Sequence, residues 1–318
     1  MNPLPGHRTR NIYNTFPGKG LIAITLWGAS FVFTRIALRS FHPFGLVAVR
    51  LMAGTLLLFG LIRARRGRLL PERADIPACA FLGLVLSLHL LIQAYGLQYT
   101  SAINTGWIIG FMPVTIALGA HLLQKQRIHP IGWWGVVLGA GGVLIVTMVS
   151  PPDFRYARWG DLLQISSCLT WTVYILASVV PVARSGALRV TTMGMAVAAL
   201  VVTSATLGTG VLREAPGTEE LLAMGFLGFL CSGLAYYLWF CALTEHGPVR
   251  VGSLLYLEPF VTLGTAAAVL HEPVRANAIL GGICVLSGVW FVARGCRPPN
   301  VPRPQRPAAD CPPASLPP

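Results

Sequence analysis

Within the stretch SLLYLEPFVTLG (Ser253 to Gly264), a carboxylate and a helix breaker, Glu258 and Pro259, stand side by side in an apolar run from Pro248 to Leu270. Glu258 lies about 15 Å from the start of that run at 1.5 Å per residue. An ionised carboxylate at the centre of a lipid-spanning helix costs at least a few kcal/mol. It must therefore be protonated, paired or facing water. Two chemistries suit it: contact with a substrate amine, or reversible binding of a proton. The bland alternative is a neutral glutamic acid bonded to a neighbouring helix. Pro259 cannot donate to the carbonyl of Leu255, which predicts a second free polar group beside the carboxyl.

Other residues could join this chemistry. His89 sits in the run 76–98 at a depth that could approach Glu258, and the two together would form a proton relay. A histidine satisfied inside a packed core is the plainer alternative. Arg50 lies within a run, where its planar fork suits a substrate carboxylate or a structural ion pair. Arg35, Arg50, Asp161 and Glu272 fall toward the same ends of their runs, as an outer gate of ion pairs would, although snorkelling alone explains Arg35. Among the aromatics Trp27, Trp107, Trp171, Tyr236, Tyr237, Trp239 and Tyr256, those near run ends fit an interfacial belt. Tyr256, within a turn of Glu258, and Trp107 with Asn104 are the cavity candidates. Pro113 and Pro259 are candidate helix breaks or gates, or simple kinks in packed helices.

Enzyme chemistry finds no constellation. HEPVR (His271 to Arg275) lacks the second histidine of a zinc protease, no GxxxxGK[ST] phosphate loop occurs, and the two lysines, Lys19 and Lys125, lie outside the runs. Seven cysteines show no paired spacing. No cofactor or metal is expected.

These side chains must be positioned by membrane helices. The chain of 318 residues is 54% hydrophobic and 11% charged, far below the usual charged quarter of a soluble domain. Ten apolar runs are long enough to cross a bilayer: 20–38, 44–62, 76–98, 102–123, 131–149, 159–180, 188–211, 219–243, 248–270 and 276–294. Runs of this length are helices and not barrel strands. The expected fold class is all-α, a polytopic membrane protein with ten transmembrane helices. The first run ends in Arg35 and Arg39 without a small-residue cleavage site, so it reads as retained and not as a signal peptide.

The net charge of +13 sorts by loop. With the N-terminus inside, cytoplasmic segments hold 16 Lys and Arg against 5 outside, which predicts both termini cytoplasmic. The basic segment RARRGR (Arg63 to Arg68) then reads as a topology signal and not as a nucleic-acid patch. On the run 131–149, Gly132, Gly135, Gly139 and Gly142 form a smooth stripe for close packing, within the chain or in a homodimer. The tail has nine prolines between Arg297 and Pro318, a composition that predicts disorder.

Sliding the chain by 146 residues aligns 97–146 with 243–292 without a gap, so that Gly106 meets Gly252, Pro113 meets Pro259, Gly135 meets Gly281 and Gly142 meets Gly288. A weaker echo, offset by 144, pairs LWG (26–28) with TWT (170–172). Five helices per copy is an odd number, so the second copy enters from the opposite face and the repeats are inverted. That architecture suits a carrier with one midplane site, lined by paired broken helices. A channel would rather repeat its rings by oligomeric symmetry. A channel or a structural membrane protein remains the alternative.

The segments LIAITLWGASFVFTRIALRSFHPFGLVAVRLMAGTLLL (21–58), GDLLQISSCLTWTVYIL (160–176), YYLWFCALTEHGPVRVGSLLYLEPFVTLG (236–264) and LHEPVRANAILGGICVLSGVWFV (270–292) resemble the EamA family of the drug/metabolite transporter superfamily. The resemblance covers roughly residues 20–294. It implies ten helices in two inverted EamA-like repeats (20–149 and 159–294) around a central cavity, flanked by the cytoplasmic arm (1–19) and the Pro-rich tail (295–318). It further implies movement of small metabolites across the bacterial inner membrane, often as export. Where the family ends its fourth helix with an acidic step, this chain has Gln124, Lys125 and Gln126, while the second copy keeps Glu272.

Overall fold

The computed structural model describes residues 17–125, 127–148, 157–246 and 251–295. The N-terminal arm up to residue 16, Gln126, Arg155, Arg250 and the tail from 296 lie outside the described residues.

Every named element is helical. α1 (Gly18–Ala37), α2 (Pro43–Ala64) and α3 (Ile76–Tyr99) are continuous. The next crossing is divided into α4 (Ala102–Ile109) and α5 (Met112–Gln124). α6 (Pro130–Met148), α7 (Ala157–Ser185) and α8 (Ala187–Thr209) follow. α9 (Thr218–Gly225) runs through a π-helical stretch, Phe226–Leu234, into α10 (Ala235–His246). A 3₁₀ segment, Ser253–Leu257, leads into α11 (Glu258–Val269), and α12 (Ala276–Gly295) ends the bundle.

Among the described residues, nine helices are long and apolar enough to cross a membrane. The tenth expected crossing, the run 248–270, is represented by the shorter apolar segment Leu254–Val269, about 24 Å long against a hydrocarbon core of about 30 Å. Leu56, Leu200 and Leu207 point outward at 66%, 73% and 91% exposure, as suits side chains whose solvent is lipid.

The two expected helix breaks are present, and each has the same cause. Pro113 and Pro259 occupy the first turn of α5 and α11, where a missing N–H breaks no intrahelical bond. The Leu255 carbonyl is not free, however: the 3₁₀ segment tightens the chain so that the backbone N–H of Glu258 reaches it. The second polar group expected beside Glu258 is therefore already satisfied.

The glycine stripe of α6 is covered within the chain, by α12. A Cβ on Gly142 would stand 2.6 Å from the Gly281 carbonyl oxygen, and Gly135 meets the Gly288 carbonyl in the same way. The rising numbers on α6 meet falling numbers on α12, so the two helices run antiparallel.

α1 lies against α10 and α11, while α7 lies against α3 and α5. At one end of the bundle Arg39 pairs with Glu219 at 3.2 Å, and at the other Arg184 pairs with Asp75. Arg39 and Arg184 are 145 residues apart, and Asp75 and Glu219 are 144 apart.

Candidate functional site

The two breaks touch. A Cβ on Gly110, between α4 and α5, would lie 2.7 Å from the Pro259 ring, and Thr262 Oγ1 donates to the Gly28 carbonyl at 2.9 Å, holding α11 against α1. Beside this junction is a small cavity. Ile109 and Met112 flank one break and line it; Leu255 and Glu258 flank the other and line it too. Irregular backbone at membrane depth is tolerated where it borders a cavity, and here both irregular segments do.

The polar lining comes from other helices. Arg50 of α2, His89 and Gln93 of α3 and Ser30 of α1 meet Glu258 in the same cavity. Glu258 is 4% exposed, Arg50 5% and His89 3%. Among the described residues Glu258 has no ion pair, and no salt bridge joins it to Arg50. The Arg50 Nε donates to Ser232 Oγ at 2.9 Å.

His89 Nδ1 lies 3.1 Å from the Ser167 carbonyl oxygen and 3.1 Å from Thr170 Oγ1. A carbonyl only accepts, so Nδ1 carries a hydrogen, and Nε2 is the acceptor whenever the ring is neutral.

An aromatic wall completes the site. Trp27 meets Trp171 edge-on at 5.4 Å and Tyr236 at 5.0 Å, while His89 lies 5.2 Å from Trp171. The Trp171 indole N–H has no partner among the described residues. The cavity thus presents an acceptor or acid, a cation, an imidazole and flat apolar faces. That set offers polar contacts of both signs beside flat apolar faces.

Three expected cavity residues lie elsewhere. Tyr256 turns away from Glu258, and its hydroxyl donates to the Val289 carbonyl of α12 at 3.2 Å. Residues two apart on a helix do not share a face. Trp107 packs edge-on against Phe260 at 5.8 Å and over Gly282, where a Cβ would strike its ring. Asn104 faces a separate, roomier vestibule lined also by Arg35, Arg39, Glu272 and Arg275.

There Glu272 accepts from Arg35 Nη1 at 2.8 Å and from the N–H groups of Ala102 and Ile103 at 3.0 Å each, so it caps α4 and ties it to α1. Asp161 accepts from Thr100 Oγ1 at 2.5 Å. Of the four groups expected in an outer gate, Arg35 and Glu272 pair with each other, and Arg50 belongs to the cavity instead.

Trp27, Trp171 and Tyr236 were visible as intramembrane aromatics but not distinguishable from the belt. The aligned LWG and TWT segments were the usable signal, because they match Trp27 with Trp171. Gln93, Met112 and Ser232 had no signal in residue type or spacing. Among the described residues no three His, Cys, Asp or Glu side chains cluster as a metal site.

Comparison with known proteins agrees on one group. A protein of Archaeoglobus fulgidus known as an uncharacterized transporter is 28% identical over 277 residues, 85% of this chain and 95% of its own. A probable amino-acid metabolite efflux pump of Escherichia coli is 25% identical over 301 residues, 87% of this chain and 94% of its own. One solved crystal structure, at 20% identity, shares the fold with a TM-score of 0.66 over 87% of this chain and 96% of that one. The model of the EamA-like transporter family matches residues 19–148 and again 158–294, and on that match over most of its length the chain belongs to the EamA-like transporter family.

Proposed function

We propose that the protein is a secondary carrier that moves a small amphipathic metabolite, amino-acid-like or nucleoside-like, across the bacterial inner membrane by alternating access. The observation that carries this is the cavity between two touching helix breaks, with Glu258 and Arg50 unpaired with each other inside it. A molecule with an amine at one end and an anionic group at the other would satisfy both charges at once. Glu258 also serves as the site of proton coupling when the substrate is absent.

Two repeats, 20–149 and 159–294, are related in this account by a two-fold axis in the membrane plane. The antiparallel glycine contact of α6 with α12 supports it, as do the ion pairs Arg39–Glu219 and Arg184–Asp75 at opposite ends. Rocking one repeat against the other would expose the cavity to each face in turn. The excess of Lys and Arg in the alternate loops supports cytoplasmic termini. Outward transport takes its support from the efflux pump among the relatives.

The test is a thermal-shift screen of metabolites on the purified parent, Glu258→Gln and Arg50→Gln. Ligand binding to the folded state raises its apparent stability. Zwitterionic compounds should stabilise the parent and lose their effect in both variants. Stabilisation that survives both substitutions would move the substrate away from this cavity.

A further inference from the structure

We propose that the π-helical stretch Phe226–Leu234 builds an anion subsite in the cavity: Ser232 orients Arg50 so that its two terminal nitrogens meet a carboxylate end-on, and the adjacent Cys231 carbonyl fixes Trp27 as the wall beside it. The proposal rests on the cavity being the substrate site and adds which group orients the substrate there.

A π-turn shifts the backbone ladder by one residue. The Ala235 N–H, which in an α-helix would close on the Cys231 carbonyl, reaches the Leu230 carbonyl instead. The Cys231 carbonyl is thereby released, and it accepts the Trp27 indole N–H at 3.0 Å. The next residue, Ser232, accepts from Arg50 Nε at 2.9 Å. Two consecutive residues of one irregular turn therefore hold two cavity side chains that come from two other helices.

Close approach makes this reach feasible for so short a side chain. A Cβ on Gly54 of α2 would stand 2.9 Å from the Ser232 Cβ, and one on Gly228 would stand 2.6 Å from the Ala53 Cβ. The π-helical stretch lies directly on the α2 backbone that carries Arg50.

A guanidinium can grip two oxygens along its Nε–Nη side or across its Nη1–Nη2 end. Nε has a single hydrogen, and Ser232 takes it. Only the end-on fork remains, and neither Nη has a hydrogen-bond partner among the described residues, although the side chain is 5% exposed. Glu258, the acid of the same cavity, does not pair with it. A buried guanidinium without a counter-charge is strongly disfavoured. Its complement is an anionic group with two coplanar oxygens, a carboxylate on a flat or apolar body that Trp27 can cover.

Phenylglyoxal condenses with the two terminal nitrogens of arginine, so its rate at Arg50, read by peptide mass spectrometry, reports whether that fork is occupied. Benzoate and its neutral analogue benzamide are the protecting probes. In the parent, benzoate should protect Arg50 at concentrations at least tenfold below benzamide. In Ser232→Ala, which keeps the Cβ that packs on Gly54, benzoate protection should weaken about tenfold while benzamide protection stays unchanged. Ser232→Cys, of similar size but with a poor acceptor, should follow Ser232→Ala, and it serves as the second variant should alanine impair folding.

Equal protection by both probes in the parent, or an Arg50 that never reacts, overturns the anion subsite and with it the zwitterion reading of the cavity. Preferential benzoate protection that persists unchanged in Ser232→Ala and Ser232→Cys overturns the positioning role alone.

Discussion

Gly141 and Gly142 are neighbours on α6, and replacing each by alanine should have opposite effects. A Cβ on Gly141 has nothing within 4 Å, whereas one on Gly142 would stand 2.6 Å from both the Gly281 carbonyl oxygen and the Val285 nitrogen of α12. Carbon contacts settle near 3.5 Å, so Gly142→Ala must push the two backbones apart by roughly 0.9 Å. Overpacking of this kind costs about 1–3 kcal/mol. The gain from replacing a helical glycine by alanine, about 1 kcal/mol, offsets part of it. Gly142→Ala should therefore lose up to about 2 kcal/mol, and Gly141→Ala should be neutral or gain up to about 1 kcal/mol. Unfolding by SDS in mixed micelles, followed by tryptophan fluorescence, measures both. Equal effects at the two positions would refute the α6–α12 contact and the antiparallel pairing drawn from it.

Other outcomes follow from burial and bonding. The ion pairs at the two ends should differ in weight: Asp75 is buried and anchors both Arg184 and Ser185, so Asp75→Asn should destabilise measurably, while Glu219→Gln on the exposed pair should stay within about 0.5 kcal/mol in the same assay. Glu272→Ala removes the acceptor of two α4 N–H groups and of Arg35, and it should cost about 2 kcal/mol or more and speed thiol labelling of an Asn104→Cys probe in the vestibule. Glu258→Gln should abolish any dependence of substrate transport on an imposed pH gradient, read in proteoliposomes. Trp27→Phe keeps the ring but leaves the Cys231 carbonyl unpaired, so it should lower thermal stability by about 1–3 kcal/mol.

Much of the scaffold was legible because lipid restricts it so strongly. Apolar length alone located nine spans long enough to cross a membrane and the segment around Glu258, and Pro113 and Pro259 marked both breaks. Arg50, His89 and Glu258 were found because an ionisable side chain in such a run needs an explanation, and the structure brings all three to one cavity. What could not be read was rotation about the helix axis. Tyr256 is two residues from Glu258 and faces α12; Trp107 and Asn104 are on the right helix but on faces turned to Gly282 and to the vestibule. An all-apolar helix has no polar side from which its facing could be inferred. The π-turn was equally hidden, since no residue between Phe226 and Leu234 requires it.

Counterflow in proteoliposomes tests the central claim most directly. Vesicles preloaded with a stabilising compound from the screen should take up a labelled trace of it against its gradient, with saturable kinetics, and Arg50→Gln or Glu258→Gln should suppress that uptake. Flux that rises linearly with concentration and shows no stimulation by preloading would contradict alternating access and make the cavity a pore; no flux at all would leave the bundle a structural membrane protein.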